Sequence, residues 1–293
     1  MSDTKQGPVA PMPSLDAMLP PQMALKAESV GVAKAEMGWR NTLALAVLAG
    51  AFISLGAVFA TVVTAGATDY LSFGVTKLLG GLVFSLGLIL VIIAGAELFT
   101  GNNLIVMAWA DGQVSTWRLL RNWGLVYLGN FAGSLATVFL MLATRQYEFG
   151  GGLIGLNALT IAAGKTDLGF MQAVALGIMC NALVCLAVWL CLSARTVTDK
   201  ILAIIFPITA FVAAGFEHSI ANMYFIPMGL LIKATAPDSF WQAISRTGAD
   251  YPNLTWPNFF LVNLLPVTLG NIIGGSLLVG LVYWFVYIRK RAR

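Results

Sequence analysis

Ala94-Gly95-Ala96-Glu97-Leu98-Phe99-Thr100-Gly101-Asn102 and Ala214-Gly215-Phe216-Glu217-His218-Ser219-Ile220-Ala221-Asn222 decide the fold of this chain. In both stretches Ala-Gly-x-Glu is followed by an asparagine five residues after the acid, and every matching residue is displaced by 120. Each acid sits near the centre of an otherwise apolar segment, Lys77 to Asp111 for Glu97 and Lys200 to Lys233 for Glu217. A carboxylate at the middle of a bilayer costs about 3 kcal/mol even on lenient scales, so both acids must face a cavity or a partner inside the protein. The two segments are therefore read as broken helices, with the backbone leaving the helix from about Gly95 to Asn103 and from Gly215 to Asn222. Backbone freed from a helix at that depth is tolerated only beside water or buried protein.

A second pattern follows the first. Asn122, Leu128-Gly129-Asn130 and Gly133 recur as Asn263, Leu269-Gly270-Asn271 and Gly274, displaced by 141. The larger offset places an insertion of about 21 residues between the last two spans, where Pro237, Trp241 and Pro252 lie.

Outside these stretches the chain reads as lipid-soluble. Hydrophobic residues make up 58% of its 293 residues and charged residues 10%, with a mean hydropathy of +0.83, far from a soluble domain. Uncharged runs between Arg40 and Asp69, Arg121 and Arg145, and Asp167 and Arg195 are each long enough to cross about 30 Å of hydrocarbon as a helix. A last span is expected from near Phe259. With the two broken helices as spans two and five, the expectation is an all-α membrane protein of six transmembrane helices. Three spans per half make the second half start from the opposite face, so the repeats are inverted, 3+3. The boundaries follow: residues 1–38 as a cytoplasmic segment with a short interfacial helix, 39–288 as one transmembrane domain with halves of about 39–146 and 166–288, and 289–293 as a basic tail. In the first segment Met23, Ala27, Val30 and Met37 fall at helical spacing, predicting a helix on the membrane surface or on the protein's own underside. No apolar run there resembles a cleavable leader.

Twelve of the 17 lysines and arginines fall on one side of this topology, which by the positive-inside bias puts both termini in the cytoplasm. The basic residues Arg289 to Arg293 are explained by topology and anionic lipid rather than by nucleic acid. The three cysteines, Cys180, Cys185 and Cys191, share one predicted helix, at spacings that favour neither disulfides nor a metal site, and read as packing residues. One histidine excludes a haem held by paired axial histidines. No phosphate-binding glycine loop supports an ATP-driven pump. The Asn-Pro-Ala triplets of a water channel are missing.

The positive ends of the half-helices that begin at the two breaks converge on the centre, where an anion is the natural guest. His218, the only histidine, follows Glu217 at that point. An imidazole there can pass a proton to a weak acid in transit, which then crosses an apolar constriction as the neutral species without the desolvation cost of a bare anion. Phe84, Leu88, Leu98, Phe99 and Phe211 are the bulky apolar residues in or beside the breaks that can form such constrictions. Thr100 lies in the first break, although the repeat aligns it with Ile220 and not with His218. Lys165 precedes span four and can draw anions in. Asn181, within span four, needs a polar partner, and Glu217 is a candidate.

These residues resemble the formate/nitrite transporter family. The matching segments are Phe84-Ser-Leu-Gly-Leu88, Ala94-Gly-Ala-Glu-Leu-Phe-Thr100, Gly215-Phe-Glu-His-Ser-Ile-Ala-Asn222 and Leu269-Gly-Asn-Ile-Ile-Gly274, with similarity from about Leu15 to Arg289. Ser72-Phe-Gly74, Asn263-Leu-Leu-Pro-Val-Thr268 and Leu278-Val-Gly-Leu-Val-Tyr-Trp284 look most like the bacterial formate channels. The resemblance implies an aquaporin-like fold and a homopentamer with one pore per subunit in the bacterial inner membrane. It also implies passive, bidirectional formate movement that becomes formate/proton co-transport at low external pH. It implies His218 as the central pore histidine, Thr100 as its partner in a mobile loop, Asn271 beside the site, and Phe84, Leu88, Leu98, Phe99 and Phe211 as pore constrictions. Lys165, Asn181 and Glu217 match a family network that tunes the histidine. No cofactor, metal or catalysed reaction is implied. Glu97 stands where formate channels often carry aspartate and nitrite members can have glutamate. Nitrite, acetate, lactate and hydrosulfide therefore remain alternative substrates.

Overall fold

A computed structural model describes residues 16–289, so the expected tail beyond Arg289 lies outside the described residues. The described chain is helical, and five of its helices are long and apolar enough to cross a membrane, by length and composition. The helices are α1 (Pro20–Glu36), α2 (Trp39–Thr64), α3 (Phe73–Gly95), α4 (99–110), α5 (Thr116–Ala143), α6 (Leu153–Thr166), α7 (Phe170–Ser193), α8 (Val197–Ala213), α9 (Ser219–Thr235) and α10 (Trp256–Tyr287). The last begins at Trp256, three residues before the expected Phe259, because the Thr255 hydroxyl accepts the Asn258 N–H and caps it there. The insertion before it folds into a short helix, Asp238–Ala243, and a 3-10 turn, Gly248–Asp250.

Two elements stop and restart. Helix α3 ends at Gly95, whose φ of +81° lies in the left-handed region that a side chain disfavours. Residues 96–98 run without helix, and α4 resumes at Phe99. Helix α8 gives way at Gly215, φ +74°, and α9 resumes at Ser219. Both interruptions are shorter than the sequence predicts, so Thr100 stands in the first turn of α4 instead of in extended chain. The cause is a side chain that replaces the missing helical bonds. Asn130 of α5 accepts the Phe99 N–H at 2.9 Å and donates to Glu97 O at 2.9 Å and Ala46 O at 2.8 Å. Asn271 of α10 does the same for the other half, accepting Ser219 N–H at 2.9 Å and donating to Glu217 O at 2.9 Å and Gly177 O at 2.8 Å. The backbone N–H groups of the two acids are also matched, Glu97 donating to Leu45 O and Glu217 to Leu176 O. Buried backbone polar groups need partners, and each half meets the need with the same asparagine.

The glycines that recur with these asparagines bring helices into contact. A Cβ on Gly133 would stand 1.9 Å from Val47 O, and one on Gly274 would stand 2.1 Å from Ile178 O. Thus α5 packs backbone to backbone on α2, and α10 on α7, as small residues allow between membrane helices.

Helix α1 lies against the protein's own body. Its buried face is Met23, Ala24, Ala27, Gly31 and Ala35, while Val30 is outside it. Glu36 pairs with Arg118, Lys26 Nζ donates to Leu192 O, and the Asn122 amide donates to Lys34 O. These bonds set α1 across the ends of α5 and α7.

Candidate functional site

Glu97 and Glu217 are both buried, and each is the hub of a four-residue network built on one plan. On the α1 side Lys34 Nζ donates to Glu97 Oε1 at 2.5 Å, and Asn102 Nδ2 donates to Glu97 Oε2 at 2.7 Å and to Asn122 Oδ1 at 2.9 Å. The Asn122 amide closes the ring on Lys34 O at 3.1 Å. On the far side Lys165 Nζ donates to Glu217 Oε1 at 2.7 Å, and Asn222 Nδ2 donates to Glu217 Oε2 at 2.7 Å and to Asn263 Oδ1 at 2.7 Å. Asn263 Nδ2 donates to Lys165 O at 2.9 Å. A buried carboxylate with a cation and amide donors on both oxygens is the arrangement in which its desolvation is compensated. The copies differ in two bonds. Lys34 also donates to Asn102 Oδ1 at 3.0 Å, whereas Asn222 Oδ1 has no partner among the described residues. Asn263 Nδ2 also donates to Glu217 Oε2 at 3.1 Å, a bond the Glu97 copy lacks.

Sequence reasoning named Lys165 and Glu217 but missed Lys34, Asn102, Asn122, Asn222 and Asn263 as partners. The repeats did carry the asparagines. Nothing local marks Lys34, which sits among charges on a terminal helix. Glu217 was one candidate partner for Asn181. Instead the Asn181 amide donates to Thr100 O at 3.3 Å, Asn103 Oδ1 at 2.9 Å and Asn271 O at 2.7 Å, which ties α7 to both half-structures. Cys185, one helical turn on, donates its thiol to Thr100 O at 3.3 Å.

His218 and Thr100 meet between the two networks, with Nε2 and Oγ1 3.0 Å apart and both side chains buried. His218 is also the N-cap of α9, its Nδ1 accepting the Ala221 N–H at 3.1 Å. An Nδ1 that accepts leaves the ring proton on Nε2, which donates to the threonine hydroxyl. Thr100 then has its own O–H to offer elsewhere. A second proton on this ring would have to displace the Ala221 bond.

A cavity of about 480 Å³ opens from the side opposite α1 and reaches His218. Phe84, Phe211, Lys165 and Glu217 line it, and the Phe211 ring stacks on the imidazole at 5.9 Å between centroids. Phe84 packs edge-on against Phe211 at 5.7 Å. Leu88, Leu98, Phe99, Thr100, Asn181 and Asn271 are buried and do not line this cavity. Phe99 lies on the α1 side, wedged edge-on between Trp123 at 6.1 Å and Tyr127 at 5.0 Å.

Fold and site together define a polytopic helical membrane protein built around a buried polar centre that one wide chamber approaches. Residues 21–285 match the model of the formate/nitrite transporter family. The chain belongs to that family. It is 48% identical to the formate channel FocA of Escherichia coli strain K12 over 94% of this chain and 96% of that one. It is 42% identical to the formate channel FocA of Haemophilus influenzae over 90% and 93% of the two chains. A solved pentameric formate channel with formate bound is 53% identical and superposes with a TM-score of 0.81, covering 85% of this chain and 98% of that one.

Proposed function

We propose that this chain is a formate channel that moves formate passively in both directions, and formate together with a proton when the outside is acidic. The observation that carries the reading is His218, which a chamber walled by Phe84 and Phe211 reaches and which pairs with Thr100 behind it. In this reading formate descends the chamber, receives hydrogen bonds from Thr100 and His218, and passes Phe99 and Leu98 toward the α1 side. Leu88 narrows the path beside Phe84. Asn271, Asn130 and Asn181 hold the backbone of the centre in place, and Glu217 with Lys165 sets the field around the histidine. A proton reaching Nδ1 frees Nε2–H for transfer to the anion, and the neutral acid crosses the apolar narrowing at far lower cost. The relatives' description as formate channels supports the substrate.

The same reading gives six crossings in two inverted halves, with the second and fifth crossings each made of two half-helices, 73–95 with 99–110 and 197–213 with 219–235. It places the chain in a bacterial inner membrane with both termini in the cytoplasm and α1 on the inner face, as a homopentamer with one path per subunit. Residues 1–38 form the terminal segment and 39–288 the transmembrane unit. Transport without a catalysed reaction belongs to the same reading, the centre offering a hydrogen-bonding imidazole and hydroxyl to a guest.

The test is flux from proteoliposomes that hold the purified protein, with formate, nitrite, acetate, lactate and hydrosulfide compared. Formate is expected to move fastest. His218→Ala is expected to abolish the rise in formate uptake at acidic external pH; flux unchanged by His218→Ala at every pH refutes the relay.

A further inference from the structure

The outer chamber needs a positive charge to gather anions, and the residue named for that role by sequence is already neutralised. Lys165 is bonded to Glu217 at 2.7 Å, so the pair presents no net formal charge to the chamber. The charged residues lining the chamber are Lys77, Lys165 and Glu217, which leaves Lys77 as its uncompensated cation. Among the described residues the Lys77 ammonium has no hydrogen-bond or ion-pair partner, and its one recorded neighbour is the Phe73 ring, 5.4 Å from Nζ to centroid. Lys77 precedes Phe84 by two helical turns on α3, which puts it roughly 10 Å further out along the axis.

The residue beside it points to the same place. Thr61, Thr64 and Thr137 return their hydroxyls to the carbonyl four residues back, at 2.8, 2.8 and 3.0 Å. Thr76 does not. Its Oγ1 is buried without a partner among the described residues, and Thr76 lines the chamber with Lys77. A buried hydroxyl that forgoes its own helix is left to serve a guest.

We propose that Lys77 and Thr76 form an outer capture station for a small monovalent anion, above the Phe84 narrowing and separate from the His218 centre. Lys77 supplies the net charge, which low-dielectric walls focus into the chamber, and Thr76 donates to the arriving oxygen. The station rests on the channel reading given above and on its topology. It acts on loading from the outer face and not on the crossing itself.

The experiment compares formate uptake into right-side-out membrane vesicles by the wild type, Lys77→Gln, Lys77→Arg and Thr76→Val. At low ionic strength Lys77→Gln is expected to raise the apparent KM for uptake by roughly three- to tenfold with the maximal rate kept, within the usual range of electrostatic steering. The difference should collapse at 1 M salt, where screening acts over about 3 Å. Lys77→Arg should behave as wild type, and Thr76→Val should raise KM without removing the salt dependence. Equal KM and equal salt dependence in wild type and Lys77→Gln overturn the proposal. A Lys77→Arg as impaired as Lys77→Gln also overturns it, because packing rather than charge is then what the residue supplies. If the wild type itself carries no formate, the channel reading fails first and the station fails with it.

Discussion

Tyr127 Oη and Thr268 Oγ1 lie 2.9 Å apart, and their numbers differ by 141, the displacement that relates the second half of the chain to the first. The bond therefore joins corresponding positions of the two sequence repeats. Tyr127 also carries Phe99 against its ring. The Tyr127–Thr268 bond therefore braces the apolar residue nearest the α1 side of the centre.

Tyr127→Phe removes the bond and keeps the ring. The expected loss of stability is about 1 kcal/mol, the usual worth of one hydrogen bond. In the channel proposed above, where Phe99 narrows the path and His218 sets the pH profile, formate flux should rise while that profile stays in place. Thermal unfolding in detergent and liposome flux measure the two effects. A flux and a melting temperature equal to wild type would show that Phe99 is held by packing alone.

Lys34 and Glu97 form a buried pair whose cation comes from the terminal helix. Lys34→Met leaves the carboxylate in place with one donor gone, and breaking one side of such a pair costs at most about 3–5 kcal/mol. The smaller end is expected, because the Lys34 side chain keeps 26% of its exposure while that of Lys165 keeps 16%. Adding Glu97→Gln to Lys34→Met should recover most of the loss. A double variant no more stable than the single one would place the cost in helix packing instead.

Gly133→Ala and Gly274→Ala should fail in the same way. Each methyl would enter a backbone carbonyl across the helix pair, and neither neighbour is a flexible side-chain end. The expected cost is about 3 kcal/mol or more for each, by overpacking. Gly164→Ala, where a Cβ meets nothing within 4 Å, is the control and should be neutral or slightly stabilising. Detergent melting curves of the three variants decide the matter.

Glu28 of α1 has its carboxyl pushed up from 4.5 to about 7, first by burial and then by the hydrogen bond and negative charge of Asp111. The docked helix therefore binds this proton more tightly than a released helix would. Docking is fully supported below about pH 4.5 and weakens as pH rises through 7, because the released state is then the one that ionises freely. Protection factors against hydrogen exchange over residues 20–36, taken relative to the intrinsic rate at each pH, should be larger at pH 5.5 than at pH 8. Glu28→Gln should flatten that difference, and a wild type with equal protection at both values would contradict it.

What the sequence determined was local and repeated. A glycine before a buried acid, an asparagine five residues later and a second asparagine with its glycines, each written twice at fixed displacements, established two interruptions and two matching halves. Those features are legible because they are steric and electrostatic demands on single residues: a positive φ admits glycine, and an acid in an apolar segment demands a partner. What only the tertiary structure decided was which distant groups meet those demands. Thr100 reaches His218 although the repeat aligns it with Ile220, since contacts between the two repeats need not join corresponding positions. Lys34 completes the inner network from a terminal helix 63 residues before its acid. Asn181 bonds the backbone of the centre and not Glu217. Lys165 pairs with a buried carboxylate, while Lys77 lines the same chamber. Ion pairing and hydrogen bonding act over about 3 Å in space, and no pattern along the chain records which residues folding brings within that distance.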